Sequence, residues 1–195
     1  MFDFGAFPAL RTERIELREL DATIVEDIFA VRSDPVVQLY NAVPHLTRDE
    51  TLGFIAEQQT KYVRRTELTW ALMVRDLGRV VGDVTLFDWD RYHRRALIGY
   101  ELARDQWGKG FAREAIRAVL NFAFEQMALN RIEIWTSAAN QRSLRLAQRL
   151  GFTLDGRLRK RILEDDGQFH DCAIFGLMRD DWARSIDRLH RTSVD

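Results

Sequence analysis

Two short stretches of the chain carry residue types at spacings that could do chemistry. The first is Trp107-Gly108-Lys109-Gly110-Phe111-Ala112, set between a strand-like run ending near Ala103 and a long helical pattern. Glycines at a strand-to-helix turn leave several backbone N–H groups unpaired and aimed the same way, and the helix dipole adds roughly half a positive charge there. A diphosphate is the natural guest. Gly108 and Gly110 let the backbone approach it, and Ala112 keeps the first helical turn clear. Two other phosphate loops are excluded. The nucleoside-triphosphate loop needs Ser or Thr after Gly-Lys, where this chain has Gly110-Phe111; the dinucleotide fingerprint needs a small residue where Arg113 stands. The second stretch is Asn140-Gln141-Arg142-Ser143. Asn140 is a good N-cap, and capping alone would explain it. Ser143, in the first turn, would point its hydroxyl out of the helix mouth, where it can protonate a departing sulfur. A free thiol titrates at about 8.5, so such a leaving group needs only modest help.

These residues need elements to hold them. Arg14-Ile15-Glu16-Leu17-Arg18 alternates as a half-buried strand does. Asp21 caps a helix expected to run to about Ser33, stopped by Asp34-Pro35. Thr47 and Glu50 form a capping box for a second helix toward Tyr62. Strands are expected over 69–75 and 79–87, turning at Leu77-Gly78, then at 96–103 after a polar loop. The strongest helical pattern runs from Phe111 to Leu129, with Ala112, Ile116, Val119, Ala123 and Met127 on one face. A strand at 131–136, a helix from Asn140 to Leu150 closed by Gly151, and a hairpin turning at Asp166-Gly167 complete the chain. Strands and helices mix without regular alternation, which predicts an α+β fold dominated by antiparallel strands.

Composition narrows the function. The 195 residues suit a single domain, with a core over about 10–182 and a tail at 183–195, and 46% hydrophobic residues suffice for an ordinary interior. The formal charge of −1 gives no global field toward nucleic acid or an anionic membrane. Only Lys61, Lys109 and Lys160 among the basic residues are lysines; the rest are arginines, whose forks suit phosphates and carboxylates. The single cysteine, Cys172, rules out a disulfide framework or a multi-cysteine zinc site, so it is expected in the core and no metal is expected. The N-terminus is too short and uncharged for a signal peptide, and no run reaches the roughly 18 apolar residues of a membrane span, so a cytoplasmic protein is expected.

Taken together, these segments resemble the GCN5-related N-acetyltransferases (GNAT), and within them the branch of bacterial ribosomal-protein N-terminal alanine acetyltransferases. The likeness runs through Leu10-Arg11-Thr12-Glu13-Arg14-Ile15-Glu16-Leu17-Arg18, Gly82-Asp83-Val84, Ile98-Gly99-Tyr100 and Trp107 to Ala115. It continues through Asn140 to Ser143, Leu150-Gly151-Phe152 and Asp181-Trp182. The wide family usually has Arg or Gln at the place of Trp107; Trp is common in the branch. The resemblance implies strands at 96–103 and 131–136 splayed into a V-shaped cleft for acetyl-CoA. Backbone at Leu102 and Ala103 would bind the pantetheine arm. Trp107 and the amides of Gly108, Lys109, Gly110, Phe111, Ala112 and Arg113 would hold the pyrophosphate end. Asn140 would touch the cofactor arm, Ser143 would face the sulfur, and the Leu102 N–H would face the oxyanion.

An attacking amine must lose its proton. Many relatives carry Glu just before the Ile-Gly-Tyr segment, where this chain has Leu97. Glu101, on the same strand, is therefore the first choice for the base, with His93, His170 and Asp171 behind it. Asp171 is otherwise expected to pair with Arg159 or Arg161. Phe87, Trp89, Tyr92 and Tyr100, with Tyr40 and Asn41, are the candidate walls of an acceptor site. The run Arg157 to Arg161 is expected to be solvated. The implied activity is direct acetyl transfer to a primary amine: a protein or peptide N-terminus or a small amine, with no nucleic-acid or membrane partner and a possible homodimer. The alternative is a non-catalytic acyl-CoA-binding or regulatory module, favoured by Leu97 and opposed by Ser143. A nucleotide-dependent kinase or dehydrogenase is disfavoured by the broken phosphate motifs.

Overall fold

The computed structural model describes residues 5–164 and 166–191, the side chains of 186–191 excepted. Eight strands form one sheet in the order β1-β2-β3-β4-β5-β6-β8-β7. They are β1 (Leu10–Arg11), β2 (Ile15–Glu19), β3 (Leu68–Val74), β4 (Arg79–Asp90), β5 (Arg95–Leu102), β6 (Arg131–Ser137), β7 (Thr153–Leu163) and β8 (Phe169–Met178). The helices are α1 (Val25–Arg32), α2 (Pro35–Gln38), α3 (Arg48–Val63), α4 (Phe111–Glu125), α5 (Gln141–Arg149) and α6 (Arg179–Arg191). Every neighbouring pair of strands is antiparallel except β5 and β6. This is the α+β class that the sequence predicts.

The parallel exception positions the site. β5 and β6 pair only through Arg95, Ala96 and Leu97 against Arg131, Ile132 and Glu133. Beyond that point β5 stays on β4 and β6 stays on β8, so the two edges part and leave a gap through the sheet. Because side chains alternate along a strand, neighbours on β5 face opposite sides of that gap. One side is covered by α4, whose Phe111, Ile116, Val119 and Phe122 pack with Trp70 and Val84. The other side is covered by α1 and α3, where Ile28 and Ile55, with Ile24 just before α1, pack with Ala71 and Val80.

Local chemistry sets the helix boundaries. Thr47 caps α3 by accepting from the Glu50 N–H at 3.2 Å, while Glu50 reaches back to the Leu46 N–H at 2.7 Å, one residue earlier than a standard capping box. Asp34 does more than stop α1, since its carboxylate accepts from the Val36 N–H and caps α2. The helix expected to reach Leu129 ends at Glu125. There Ala128 takes a left-handed φ of +55° and the Leu129 N–H closes back on the Ala123 carbonyl at 3.1 Å. Such a stop usually carries glycine, and an alanine there leaves no signal in the sequence. Trp182 donates to Asn121 Oδ1 at 2.9 Å, pinning α6 to α4. β7 is an edge strand, and Arg157, Arg159, Lys160 and Arg161 on it are exposed.

Candidate active site

The gap between β5 and β6 opens into a cleft of about 510 Å³. At one end is the glycine loop. Gly108 and Gly110 have φ of +79° and +85°, backbone that favours glycine. Among the described residues, none of the N–H groups from Gly108 to Arg113 finds an acceptor in the chain. Gly110 is the N-cap of α4 and supplies no side chain to cap it. A run of unfilled amides at a helix mouth suits an anionic diphosphate. Arg113, Arg142, Arg145 and Arg149 add a cationic wall, and the Arg142 guanidinium lies 3.6 Å from the centroid of the Trp107 ring. The last three recur on α5 at spacings of three and four, a face that sequence reasoning missed.

Along β5 the backbone decides what is available. The Ala103 N–H donates to Val81 O at 2.7 Å. Antiparallel alternation then turns the Leu102, Tyr100 and Ile98 amides away from β4 and toward the gap. The expectation for Ala103 is therefore corrected, because its N–H is spent inside the sheet and its carbonyl accepts from the Gln106 N–H at 2.9 Å. The Leu102 N–H remains free to face the cleft, and the Leu102 carbonyl is held by Trp107 Nε1 at 2.7 Å. The Lys109 side chain lies outside the cleft lining, its Nζ turned to Gln106 Oε1 at 3.1 Å, while its N–H stays among the unfilled amides of the loop.

Asn140 accepts from the Ser143 N–H at 3.1 Å, and so does the capping expected of it while also lining the cleft. Ser143 is 8% exposed, and its Oγ lies 2.8 Å from the Tyr100 hydroxyl. Burial pushes the Tyr100 pKa up to about 12, against the opposing pull of the Ser143 hydrogen bond. Tyr100 thus keeps its proton at neutral pH, in contact with the residue expected to face a leaving sulfur. Tyr100, a candidate acceptor wall, lines the cleft and has this contact with Ser143 as well.

Glu101 lines the cleft from the opposite face. Its Oε1 accepts from Arg32 Nη1 at 2.7 Å and its Oε2 from Gln38 Nε2. Across the β4–β5 ladder stands Asp83, 4% exposed, whose Oδ2 is 3.9 Å from the same Arg32 nitrogen and has no hydrogen-bond partner. Burial first, and then repulsion from Glu101, push the Asp83 pKa up to about 8, although Arg32 pulls it down. Arg32 Nε also bonds His45 Nε2 at 3.2 Å, and His45 Nδ1 lies 2.8 Å from Thr51 Oγ1. Sequence reasoning missed Arg32, Gln38 and Asp83. The available signal was an acid inside the apolar run Val80-Val81-Gly82-Asp83-Val84.

The remaining candidates divide. Tyr40 and Asn41 line the cleft. Phe87 and Trp89 do not: the Phe87 ring packs against Gly99, and the Arg91 guanidinium sits 4.6 Å over the Trp89 ring. His93 is on an exposed turn beside Asp90, and His170 bonds Asp166 at 2.8 Å on the far hairpin. Asp171 accepts from the Lys160 N–H at 3.0 Å rather than from Arg159 or Arg161. Cys172 is 1% exposed, as expected of a core thiol.

Residues 14–153 match the acetyltransferase (GNAT) domain family. The chain belongs to the GNAT family. It is an acetyl-CoA-dependent N-acetyltransferase acting on amines. The uncharacterized N-acetyltransferase YoaA of Bacillus subtilis (strain 168) is 29% identical over 89% of this chain and 98% of its own length. The uncharacterized N-acetyltransferase p20 of Bacillus licheniformis is 30% identical over the same shares. Among solved structures, RimL, a ribosomal L7/L12 α-N-protein acetyltransferase in complex with coenzyme A, superposes with a TM-score of 0.80. It is 19% identical and covers 88% of this chain and 98% of RimL. Among the described residues, no helix is long and apolar enough to cross a membrane.

Proposed function

We propose that this GNAT enzyme acetylates the α-amino group of a protein or peptide N-terminus, with Ser143 and Tyr100 on one side of the sheet gap and Glu101 on the other. One observation carries the division of labour. Tyr100 and Glu101 are adjacent on β5, so they face opposite sides; Tyr100 meets Ser143 of α5, and Glu101 meets Arg32 and Gln38 of α1 and α2. A thioester entering along the amide cradle would end near Ser143. An amine entering past Tyr40 and Asn41 would end near Glu101.

In the transfer the amine lone pair attacks the thioester carbonyl carbon and the C–S bond breaks. The Leu102 N–H is aimed to hold the carbonyl oxygen as it gains charge. Ser143 donates its proton to the departing sulfur as it takes one from Tyr100, and Tyr100 regains a proton from solvent in the cleft, matching the one the amine releases. The amine's surplus proton leaves toward Glu101, through water where direct reach is lacking. Among the described residues the cradle amides, with the arginine wall, are the groups fitted to the pyrophosphate end of acetyl-CoA. The protein-acceptor reading is supported by RimL, which is named for acting on a ribosomal protein's α-amino group.

The test is release of free CoA from acetyl-CoA with a panel of N-terminal peptides beginning with Ala or Ser, alongside polyamines and other small amines. A peptide should give the highest kcat/KM. A small amine exceeding every peptide by about tenfold or more would overturn the acceptor class while leaving acetyl transfer intact.

A further inference from the structure

The glycine loop is held from outside the cleft by a side chain to which the sequence reading gave no role in the site. Arg14 lies in the turn before β2, far in sequence from the loop. Its Nη1 donates to the Lys109 carbonyl at 3.1 Å. Glu114, in the first turn of α4, fixes Arg14: Oε2 accepts from Nε at 2.7 Å and lies 2.6 Å from Nη2, and Oε1 accepts from the Arg14 N–H at 2.9 Å. Thr12 Oγ1 also donates to Glu114 Oε1. The guanidinium lies 4.7 Å from the centroid of the Phe111 ring.

A trans peptide points its C=O and its N–H in opposite directions. Holding the Lys109 carbonyl toward Arg14 therefore turns the Gly110 N–H the other way, and Gly110 lines the cleft. Gly110 adjoins that peptide on one side and Gly108 stands just before Lys109 on the other, so the loop has little of its own to fix the plane. We infer that Arg14 is a positioning residue for acetyl-CoA: braced by Glu114, it sets the Lys109–Gly110 peptide plane so that the Gly110 N–H meets the pyrophosphate. The inference rests on the cradle reading and adds to it a residue that does not touch the cofactor.

The test compares acetyl-CoA with S-acetylpantetheine, which has the same thioester arm and no pyrophosphate, in the full-length enzyme at saturating amine. Arg14→Lys keeps the positive charge and loses the fork that spans Glu114 and Lys109. Glu114→Gln removes a negative charge near the anion and loosens Arg14. If the brace operates, each variant raises KM for acetyl-CoA about tenfold, roughly the loss of one hydrogen bond to a charged group. The kcat should hold within about threefold, and kcat/KM for S-acetylpantetheine within about twofold. A simple charge effect gives the opposite pattern: Arg14→Lys resembles wild type and Glu114→Gln lowers KM. That pattern overturns the inference, as does an equal loss with both thioesters. Circular dichroism at the assay temperature shows that each variant is folded; if Arg14→Lys is not, Glu114→Gln decides alone, by the sign of its effect. The cradle reading fails separately, when the wild-type enzyme itself does not prefer acetyl-CoA to S-acetylpantetheine.

Discussion

Replacing Asp83 with Asn should make the protein more resistant to alkaline pH. Asp83 is 4% exposed, its Oδ2 has no hydrogen-bond partner, and its nearest cation, Arg32, already sits 2.7 Å from Glu101. The folded protein therefore holds a proton on Asp83 up to a pKa of about 8, where the unfolded chain releases it near 3.8. Between those values the native state binds more protons than the unfolded state, so stability falls as pH rises. The full contribution is present below the unfolded value and is lost by the time pH passes the folded one. Each pH unit in that window costs about 1.4 kcal/mol, or roughly 4 kcal/mol between pH 5 and 8. The amide introduced by Asp83→Asn cannot ionise, and its own packing cost is an offset independent of pH. The assay is urea unfolding of wild type and Asp83→Asn at intervals from pH 5 to 9. The wild-type stability minus that of Asp83→Asn should fall by several kcal/mol across the series. Two parallel curves, with a constant difference, would refute the account of Asp83 as a buried, protonated acid.

Ser143→Ala should lower kcat by about 10²-fold, within the usual range for loss of a general acid, and leave KM for acetyl-CoA within about threefold. Steady-state kinetics checks this, and an unchanged kcat removes the acid role. Tyr100→Phe should cost less, about tenfold, and add little once Ser143 is gone, because the two hydroxyls form one proton path; additive losses in the double variant would separate them. Gly82→Ala should destabilise the protein by about 3 kcal/mol or more, since its Cβ would stand 2.1 Å from the Glu101 carbonyl oxygen and β4 would have to leave β5. A melting temperature equal to wild type would show that the strands yield more easily than this contact implies.

What the sequence made legible was local. The glycine turn, the Asn140 cap and the Asp166-Gly167 hairpin are each written in a few neighbouring residues. What it hid was either parity or distance. Whether the Ala103 or the Leu102 amide faces the gap depends on which ladder positions bond to β4, a property of the pair and not of either strand. Phe87 and Trp89 lie near the site along β4, but the packing of Phe87 on Gly99 and the register shift between Phe87 and Asp90 take them out of it. Arg32 and Gln38 reach Glu101 across 69 and 63 residues of chain, and no local pattern announces that meeting. The same holds for Arg14 and Lys109, 95 residues apart.

The three-residue junction of β5 and β6 has a kinetic consequence. A slot that pierces the sheet gives the two reactants separate doorways, one beside α4 and α5 and the other beside α1 and α2. Neither must vacate before the other arrives, and no acyl group has to be parked on the protein between visits. Initial velocities measured while both concentrations vary should accordingly give reciprocal lines that cross, the mark of a ternary complex; parallel lines would mean that the slot serves a different purpose.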